Sequence, residues 1–284
     1  MALTAEQVKG RIKNLAKQNG ADARVLVRLY MMERFLERVS VSQYAGNFVI
    51  KGGILVTSMV GIAMRSTMDI DASIRNRDLS EEDARRIVDE VAAISLDDDI
   101  RFQINDVSGI MDEMEYPGIR ITMDAIMGKM VTPIKIDIST GDIITPRAIE
   151  YSYKLMLEDR SINLWSYNLE TILAEKLQTI LARGILNTRM RDFYDIHTLL
   201  TGYADQINAV TFSQAFHATC EKRGSFQLVN QSNEILKMIS EDTAMGELWT
   251  SYRKRYSYAE NITYAEAISS IKKLLDILPN YNTM

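Results

Sequence analysis

The sequence is poor in the residues that build disulfides and nitrogen- or sulfur-ligated metal sites. Its 284 residues include one cysteine, Cys220, and two histidines, His197 and His217. A single cysteine excludes an intramolecular disulfide and a multi-cysteine zinc site, and two isolated histidines argue against a histidine-rich site. Any metal ion bound here should therefore be a hard cation held by oxygen ligands.

Long hydrophobic runs are also missing. No stretch approaches the roughly 18 consecutive apolar residues that are typical of a membrane span. The first 20 residues have the pattern of an amphipathic helix rather than that of a signal peptide. We therefore expect a cytoplasmic protein without a membrane segment.

Positive charge is in deficit, because the formal net charge is −5. With 46% hydrophobic and 25% charged residues, the composition suits a well-packed globular protein of one large domain or two ordinary ones. The acidic balance argues against a surface coated all round with nucleic-acid-binding charge. A local basic patch can coexist with it, so RNA binding stays open.

Hydrophobic periodicity predicts a change of architecture along the chain. We predict an α+β or α/β, bilobed protein, with a mixed sheet and flanking helices in residues 1–160 and a mostly helical C-terminal lobe in residues 161–284. The predicted strands are 48–50, 68–74, 101–108, 119–127 and 131–139, and the predicted helices are two within 4–38 and then 54–64, 80–94, 169–184, 191–203, 211–222, 226–239, 243–253 and 263–278. Ser80 is the expected N-cap of its helix, with Asp83 three residues on.

Two aspartates mark the strand MDIDASI at residues 68–74. Because side chains alternate along a strand, Asp69 and Asp71 project to one side with their Cα atoms about 7 Å apart. Such a pair repels itself, and a divalent cation removes the conflict by supplying positive charge. Magnesium fits best, since it combines a few carboxylates with substrate phosphates and water. The spacing alone is a weak signal, because a solvated acid pair can also decorate a strand end.

Features around the pair suit an anionic substrate. Gly52 and Gly53 lie between a strand and a helix, where glycines let backbone N–H groups approach a phosphate beside a helix N-terminus. Arg65 and Thr67 stand just before the acids, and they could bind phosphate oxygens. Alternatively, Arg65 could simply pair with Asp69.

A third acid, Asp137, lies on a later strand between Ile136 and Ile138. A carboxylate that interrupts an apolar strand needs a partner. Polymerase-like enzymes hold two metal ions on three carboxylates, one ion activating the attacking hydroxyl and the other carrying the leaving pyrophosphate. We therefore predict Asp69, Asp71 and Asp137 as ligands of Mg²⁺ or Mn²⁺, with a nucleoside triphosphate (NTP) as substrate.

The order of these motifs, GG, a helix, DID and a later lone aspartate, resembles the nucleotidyltransferase superfamily. With their flanks, NFVIKGGILV, RSTMDIDASI, LETILAEKLQTIL and RMRDFYDI, they are similar to the AbiEii toxin family of bacterial abortive-infection systems, over roughly residues 40–200. The resemblance implies a bilobed enzyme that acts as the growth-arresting toxin of a toxin–antitoxin pair. Several relatives add nucleotides to the 3′ end of tRNA.

The resemblance also implies roles for individual residues. It makes Asp69 and Asp71 the metal-binding pair and Gly52-Gly53 the phosphate loop. We predict further catalytic residues at Lys176, from an AEK motif, and at Asp192, and nucleotide-binding residues at Gly52, Gly53, Arg65, Thr67, Lys176, Arg191 and Asp195. Many relatives have GS where this chain has Gly52-Gly53, so a serine contact to phosphate is absent here. They often have arginine where this chain has Thr188, with Arg189 next to it.

Helical spacing predicts where some of these side chains point. Lys176 and Arg183 share the face opposite a buried leucine stripe. Asp192 and Asp195, three residues apart, are predicted to lie together on the outer side of their helix. We interpret His197 as a helix-face residue rather than a catalytic base, because no carboxylate pattern orients it.

The leading hypothesis is a toxin that transfers a nucleoside monophosphate (NMP) from an NTP to RNA, at the 3′ end of a tRNA, with a cognate antitoxin encoded nearby. Two alternatives stay open: transfer to a protein side chain, and a catalytically inactive nucleotide- or RNA-binding module. The basic cluster 253–255 between Tyr252 and Tyr256 is either an RNA contact or an ordinary solvated helix end. We expect the acceptor to be held in a cleft between the two lobes.

Overall fold

A computed structural model describes residues 3–75, 79–110 and 118–278. The chain divides into two compact units, the first made of Met1–Asp142 with Ala148–Tyr167 and the second of Ile143–Arg147 with Asn168–Met284. Within the described ranges, the first unit holds a seven-stranded sheet and the second is helical. None of the helices in those ranges combines the length and hydrophobicity needed to cross a bilayer.

The first unit contains four helices and seven strands among its described residues. In chain order they are α1 (Ala5–Asn19), α2 (Ala23–Val41), β1 (Phe48–Lys51), α3 (Gly52–Val60), β2 (Ile70–Ile74), α4 (Glu81–Ala92), β3 (Ile100–Ile110), β4 (Gly118–Met127), β5 (Met130–Thr140), β6 (Ile149–Lys154) and β7 (Ser161–Ser166). Helices α1, α2 and α4 begin after residues whose side chains accept backbone N–H groups. Ser80 accepts from Asp83 N at 3.0 Å, as predicted for the start of α4.

The sheet is mixed, with strand order β3-β4-β5-β2-β1-β7-β6. β2 runs parallel to β5 and β1 parallel to β7, while the other neighbours are antiparallel. The central strands alternate polar and apolar residues. Ile70, Ile136 and Ile121 are fully buried on one face. The residue next to each of them along its strand therefore points to the opposite face.

The second unit consists of α5 (Leu169–Arg183), α6 (Met190–Tyr203), α7 (Ala209–Lys222), α8 (Leu228–Glu241), α9 (Thr243–Arg255) and α10 (Tyr264–Asp276), with short 3₁₀ turns between some of them. Apolar side chains from several helices are completely buried here, including Leu173, Phe193, Phe212 and Ile271. The prediction of a mixed sheet followed by a helical region is confirmed.

Two local predictions were incomplete or wrong. The helix predicted at 54–64 begins at Gly52 and ends at Val60, because Gly61 follows in a conformation that breaks the helix. Strands β6 and β7 were not predicted. Buried and exposed residues do alternate in β7, where Ile162 and Leu164 are buried and Asn163 between them is exposed. A single alternating run this short is a weak signal beside the longer helical pattern that follows it.

Candidate functional site

A row of four charged residues crosses the centre of the sheet. Lys51 of β1 is opposite Asp71 of β2, Asp71 is beside Asp137 of β5, and Asp137 is opposite Arg120 of β4. Residues that are directly opposite in neighbouring strands point to the same face. The sheet therefore presents the charge sequence plus, minus, minus, plus, with two of the three predicted acids, Asp71 and Asp137, in the middle.

Asp71 caps the N-terminus of α3 from the neighbouring strand. Lys51 precedes that helix and provides no side-chain cap, whereas Asp71 Oδ2 accepts the N–H of Gly53 at 3.0 Å. A carboxylate is stabilised at this end of a helix by the partial positive charge of the exposed N–H groups. The N–H of Gly53, which the sequence suggested as a phosphate donor, is bonded to Asp71 in this structure.

Both glycines are required by close approaches to this site. Gly52 has φ +57°, and a Cβ atom there would lie 2.3 Å from Asp71 Oδ2. A Cβ atom on Gly53 would lie 2.6 Å from Thr67 Oγ1 and 3.3 Å from the Arg65 guanidinium. Gly53 thus makes room for two of the predicted phosphate-binding residues to pack against the helix start.

Arg65 and Thr67 are buried beside α3. Arg65 is 1% exposed and donates to the carbonyl of Ser66. Thr67 Oγ1 donates to the carbonyl of Asp69 at 3.3 Å, which ties the hydroxyl to the segment that enters β2. The two side chains thus position the chain between α3 and the acid pair.

Burial and neighbouring charges together shift the pKa of Asp71 in this row. Burial raises the pKa of the Asp71 carboxyl above its usual value, and the carboxylates of Asp137 and Asp69 raise it further, while the Gly53 hydrogen bond and Lys51 oppose the shift. Negative charge at Asp71 is therefore only partly compensated by the protein.

Asp137 has the partner that its place in an apolar strand required. Arg120 donates to both of its oxygens, from Nε at 2.9 Å and from Nη2 at 3.0 Å. Lys135, two residues earlier on β5, places its ammonium 3.7 Å from Asp137 and 3.1 Å from Asp69. Asp69 and Asp137 are thus linked through one lysine.

Lys51 ends the row in a buried network. Its Nζ donates to Ser139 Oγ and to Asp142 Oδ2, both at 2.6 Å, and lies 5.6 Å from the centre of the Tyr167 ring. Asp142 also accepts from the Tyr167 hydroxyl at 2.8 Å. Although burial opposes it, the Lys51 ammonium holds the pKa of Asp142 below its usual value. This network fixes the end of β1 from which α3 starts.

The donors of this face suit a hard divalent cation. The ligand atoms are all oxygens, and a cation would offset both the burial and the neighbouring carboxylates that raise the pKa of Asp71. In the part of the chain that the structure describes, no three acid, histidine or cysteine side chains are grouped as metal ligands, and Arg120 engages both oxygens of Asp137. Because Mg²⁺ needs only one or two carboxylates besides phosphates and water, Asp69 and Asp71 still fit it.

In the second unit, Lys176 of α5 binds two acids of α6. Its Nζ lies 2.9 Å from Asp192 Oδ1 and 2.7 Å from Asp195 Oδ2. Asp192 is 5% exposed and Asp195 is completely buried. The prediction that both acids lie on the outer side of their helix was wrong, because a buried lysine on the neighbouring helix supplies their counter-charge.

Arg191 belongs to a cluster of cations around one tyrosine. Its guanidinium lies 5.7 Å from the centre of the Tyr256 ring, and its Nη2 donates to the Tyr256 hydroxyl at 3.3 Å. Arg255 approaches the same ring at 5.5 Å. Arg253 instead donates from Nε to the carbonyl of Glu260 at 2.9 Å. His197 shares a 2.8 Å hydrogen bond with Ser270 on the helix face, as interpreted from the sequence.

Comparisons with known proteins agree with this fold. A family model described as "Nucleotidyl transferase AbiEii toxin, Type IV TA system" matches residues 34–273. Two crystal structures from Helicobacter pylori are similar, each with a TM-score of 0.52 and each matched over 90% of this chain. One, named as a candidate nucleotidyltransferase, is 14% identical and is covered over 95% of its length, and JHP933 is 15% identical and is covered over 92%. No curated protein sequence matches the chain.

Proposed function

The chain belongs to the AbiEii family of nucleotidyltransferase toxins, and from this premise we propose that it transfers NMP from an NTP to the 3′ end of a tRNA. Such a change at the acceptor end arrests growth, the outcome expected of an abortive-infection toxin. The proposal places the reaction in the cytoplasm. It includes a cognate antitoxin encoded nearby as the partner that restrains the toxin.

The observation that carries the proposal is the pair of parallel strands that sets Asp71 beside Asp137, with Asp69 just before β2. These three acids concentrate negative charge in one region of the sheet. A module that only bound RNA or nucleotide would gain nothing from acids that repel each other and the phosphates of its ligand. A divalent cation would bind these carboxylates and neutralise their mutual repulsion.

In the proposed reaction, Asp69 and Asp71 hold Mg²⁺ or Mn²⁺, and Asp137, paired with Arg120, contributes negative charge at the third position. The metal supplies electrostatic stabilisation of the triphosphate and of the attacking hydroxyl. Arg65 and Thr67, packed against Gly53, orient the start of α3 toward the phosphates. Lys176, Asp192, Arg191 and Asp195 are proposed to contribute from α5 and α6.

The test is transfer of radiolabel from each α-³²P NTP, with Mg²⁺, to total bacterial RNA and to lysate protein, followed by separation of the two. We expect label at the 3′ end of tRNA. Asp69→Ala should abolish it while the fold persists, because Asp69 is partly exposed and pairs only with Lys135 among the described residues. Lys129→Gln, on an exposed turn, is the matched control.

The outcomes separate the alternatives. Label on protein would replace the RNA acceptor by a protein side chain. No label with any NTP, together with retained NTP or RNA binding, would indicate an inactive binding module. Full transfer by a folded Asp69→Ala variant would refute the assignment of the metal to Asp69 and Asp71.

For the acceptor, we propose a contact surface formed by Arg191, Lys254, Arg255 and Tyr256, here called the arginine–tyrosine cluster. Its three cations form no ion pair with an acid in the described ranges, so their charge is available to phosphates. Tyr256 is half-buried, and two guanidinium groups approach its ring. Aromatic rings beside cations are how proteins contact single-stranded RNA ends.

The double variant Lys254→Gln/Arg255→Gln should weaken tRNA binding and leave NTP affinity unaltered. Each lost phosphate contact to a single strand flattens the plot of log K against log salt by about 0.7, so the slope should fall by about 1.4. Filter binding at several salt concentrations measures it, with Lys273→Gln, an exposed lysine of α10, as control. An identical slope in the double variant and the control would remove the cluster from the acceptor path.

A further inference from the structure

Lys135 supplies a positive charge that two of the acids share. Ile70 pairs with Ile136 in the parallel β2–β5 ladder, so Asp69 and Lys135 are beside each other one residue before that pair. The ammonium lies 3.1 Å from Asp69 Oδ2 and 3.7 Å from Asp137 Oδ2. A lysine therefore lies against Asp69, one of the two carboxylates that we propose to hold the metal.

We propose that Lys135 is an exchangeable counter-ion: it neutralises Asp69 when no metal is bound, yields that carboxylate to a divalent cation, and then binds the phosphates of the incoming NTP. The inference rests on the proposed function and adds a phosphate-binding residue to it.

The charges favour exchange. An ammonium and a divalent cation that both lie against Asp69 Oδ2 repel each other strongly, because their surroundings are partly desolvated. The side chains of Lys135 and Asp69 are 29% and 34% exposed. Ion pairs this exposed contribute little net stability, so a metal ion can displace the lysine at small cost.

The two cations that contact Asp137, Arg120 and Lys135, differ in how firmly they are held. Arg120 grips Asp137 with two hydrogen bonds of 2.9 and 3.0 Å, and such a planar, bidentate contact is rigid. Lys135 makes point contacts at the end of a flexible four-carbon chain. We therefore assign the exchange to Lys135 and a fixed position to Arg120.

The destination of the released ammonium follows from its neighbours. Lys135 and Asp69 lie on the same face of the sheet as Asp71 and Asp137. Once Asp69 is engaged by the metal, the strongest remaining negative charge on that face is the triphosphate itself. Lysine is a general phosphate ligand through its point charge.

The experiment measures Mn²⁺ binding and nucleotide binding separately, so neither readout depends on turnover. Free Mn²⁺ is followed by its paramagnetic resonance signal in the absence of nucleotide. Nucleotide binding is followed calorimetrically with Mn²⁺ and each of the four α,β-imido NTPs in turn. The proteins are the parent, Lys135→Gln, Lys135→Arg and the exposed-turn control Lys129→Gln.

We expect Lys135→Gln to bind Mn²⁺ about fivefold more tightly than the parent, since no ion pair has to break. The same variant should bind the preferred NTP analogue at least tenfold more weakly, because a charge-assisted contact to phosphate is lost. Lys135→Arg should bind Mn²⁺ more weakly than the parent, because a bidentate guanidinium holds Asp69 more firmly. Lys129→Gln should change neither affinity.

The opposite changes expected in Mn²⁺ affinity and NTP affinity for Lys135→Gln distinguish exchange from simpler roles of this lysine. A lysine that only supports the fold would weaken both affinities when replaced, and a lysine that is only a static counter-ion would leave NTP affinity unchanged. Either result overturns the proposal. If the parent binds no Mn²⁺, the exchange and the metal-dependent mechanism fall together. If the parent and Lys129→Gln bind Mn²⁺ and NTP but Lys135→Gln behaves like them, only the exchange fails.

Discussion

Replacing Gly52 by alanine should displace the Asp71 side chain, because the added carbon atom would collide with it. The new Cβ would lie 2.3 Å from Oδ2, 2.7 Å from Cγ and 2.8 Å from Cβ of Asp71. Those distances are far inside van der Waals contact, so the Asp71 side chain has to move. Its hydrogen bond to the N–H of Gly53 at 3.0 Å cannot survive that movement.

The size of the effect follows from two contributions. Gly52 has φ +57°, and the left-handed conformation costs a residue with a Cβ about 1–2 kcal/mol. Loss of a hydrogen bond to a charged group adds about 1.5–3 kcal/mol. We therefore expect Gly52→Ala to lower the free energy of unfolding by roughly 2.5–5 kcal/mol and to abolish transfer.

Gly20→Ala is the matched control. Gly20 ends α1 with φ +62°, and an added Cβ would meet no atom within 4 Å. It lies in the same unit and carries only the conformational cost of about 1–2 kcal/mol. The difference between the two variants therefore isolates the collision with Asp71.

Urea unfolding followed by circular dichroism measures both losses. In an Asp71→Ala background, where the hydrogen bond is already gone, Gly52→Ala should cost about 1.5–3 kcal/mol less than in the parent. Equal losses for Gly52→Ala and Gly20→Ala, or a cost that does not depend on Asp71, would refute the reasoning.

Two further predictions concern buried charge. Lys176→Met removes the ammonium that lies against both Asp192 and Asp195, and leaves Asp192 its longer contact to Arg189, at 3.3 Å. The free energy of unfolding should therefore fall by about 3–5 kcal/mol, and adding Asp192→Asn with Asp195→Asn should recover most of that loss. A loss below about 1 kcal/mol in urea unfolding would contradict this. Burial raises the pKa of Glu33 from 4.5 to about 8. The folded protein thus keeps a proton that the unfolded chain has lost, so stability should fall by up to about 1.4 kcal/mol per pH unit from about pH 4.5 to 8. Glu33→Gln should flatten that fall, and an unchanged pH profile would show that Glu33 is not its source.

The roles of the acids differ more than their shared motif suggests. Asp71 caps α3 and is held by the fold, whereas Asp69 is partly exposed and pairs with the partly exposed Lys135. A substitution at Asp71 should therefore reduce stability as well as activity, and one at Asp69 should reduce activity alone. Asp69 is for this reason the cleaner position at which to test the proposed chemistry.

Local sequence patterns determined a large part of this site. Alternation at the start of β2 predicts that Asp71 and the preceding Asp69 share one face, because strand side chains repeat every two residues. The pairing of Asp137 with Arg120 can also be derived from the turn between β4 and β5. A two-residue turn pairs Met127 with Met130. Arg120 and Asp137 are the same number of residues away from that turn on their strands, so they lie opposite each other.

Only the tertiary structure decided which strands lie side by side. β2 and β5 are separated in the chain by α4, β3 and β4, and their parallel pairing puts Asp71 beside Asp137 and Lys135 beside Asp69. No periodicity encodes that neighbour, because it results from packing the apolar faces of distant strands into one core. Likewise, helical spacing alone assigned Asp192 and Asp195 to solvent. They are buried because α5 brings Lys176 against them, a contact between helices that neither helix specifies by itself.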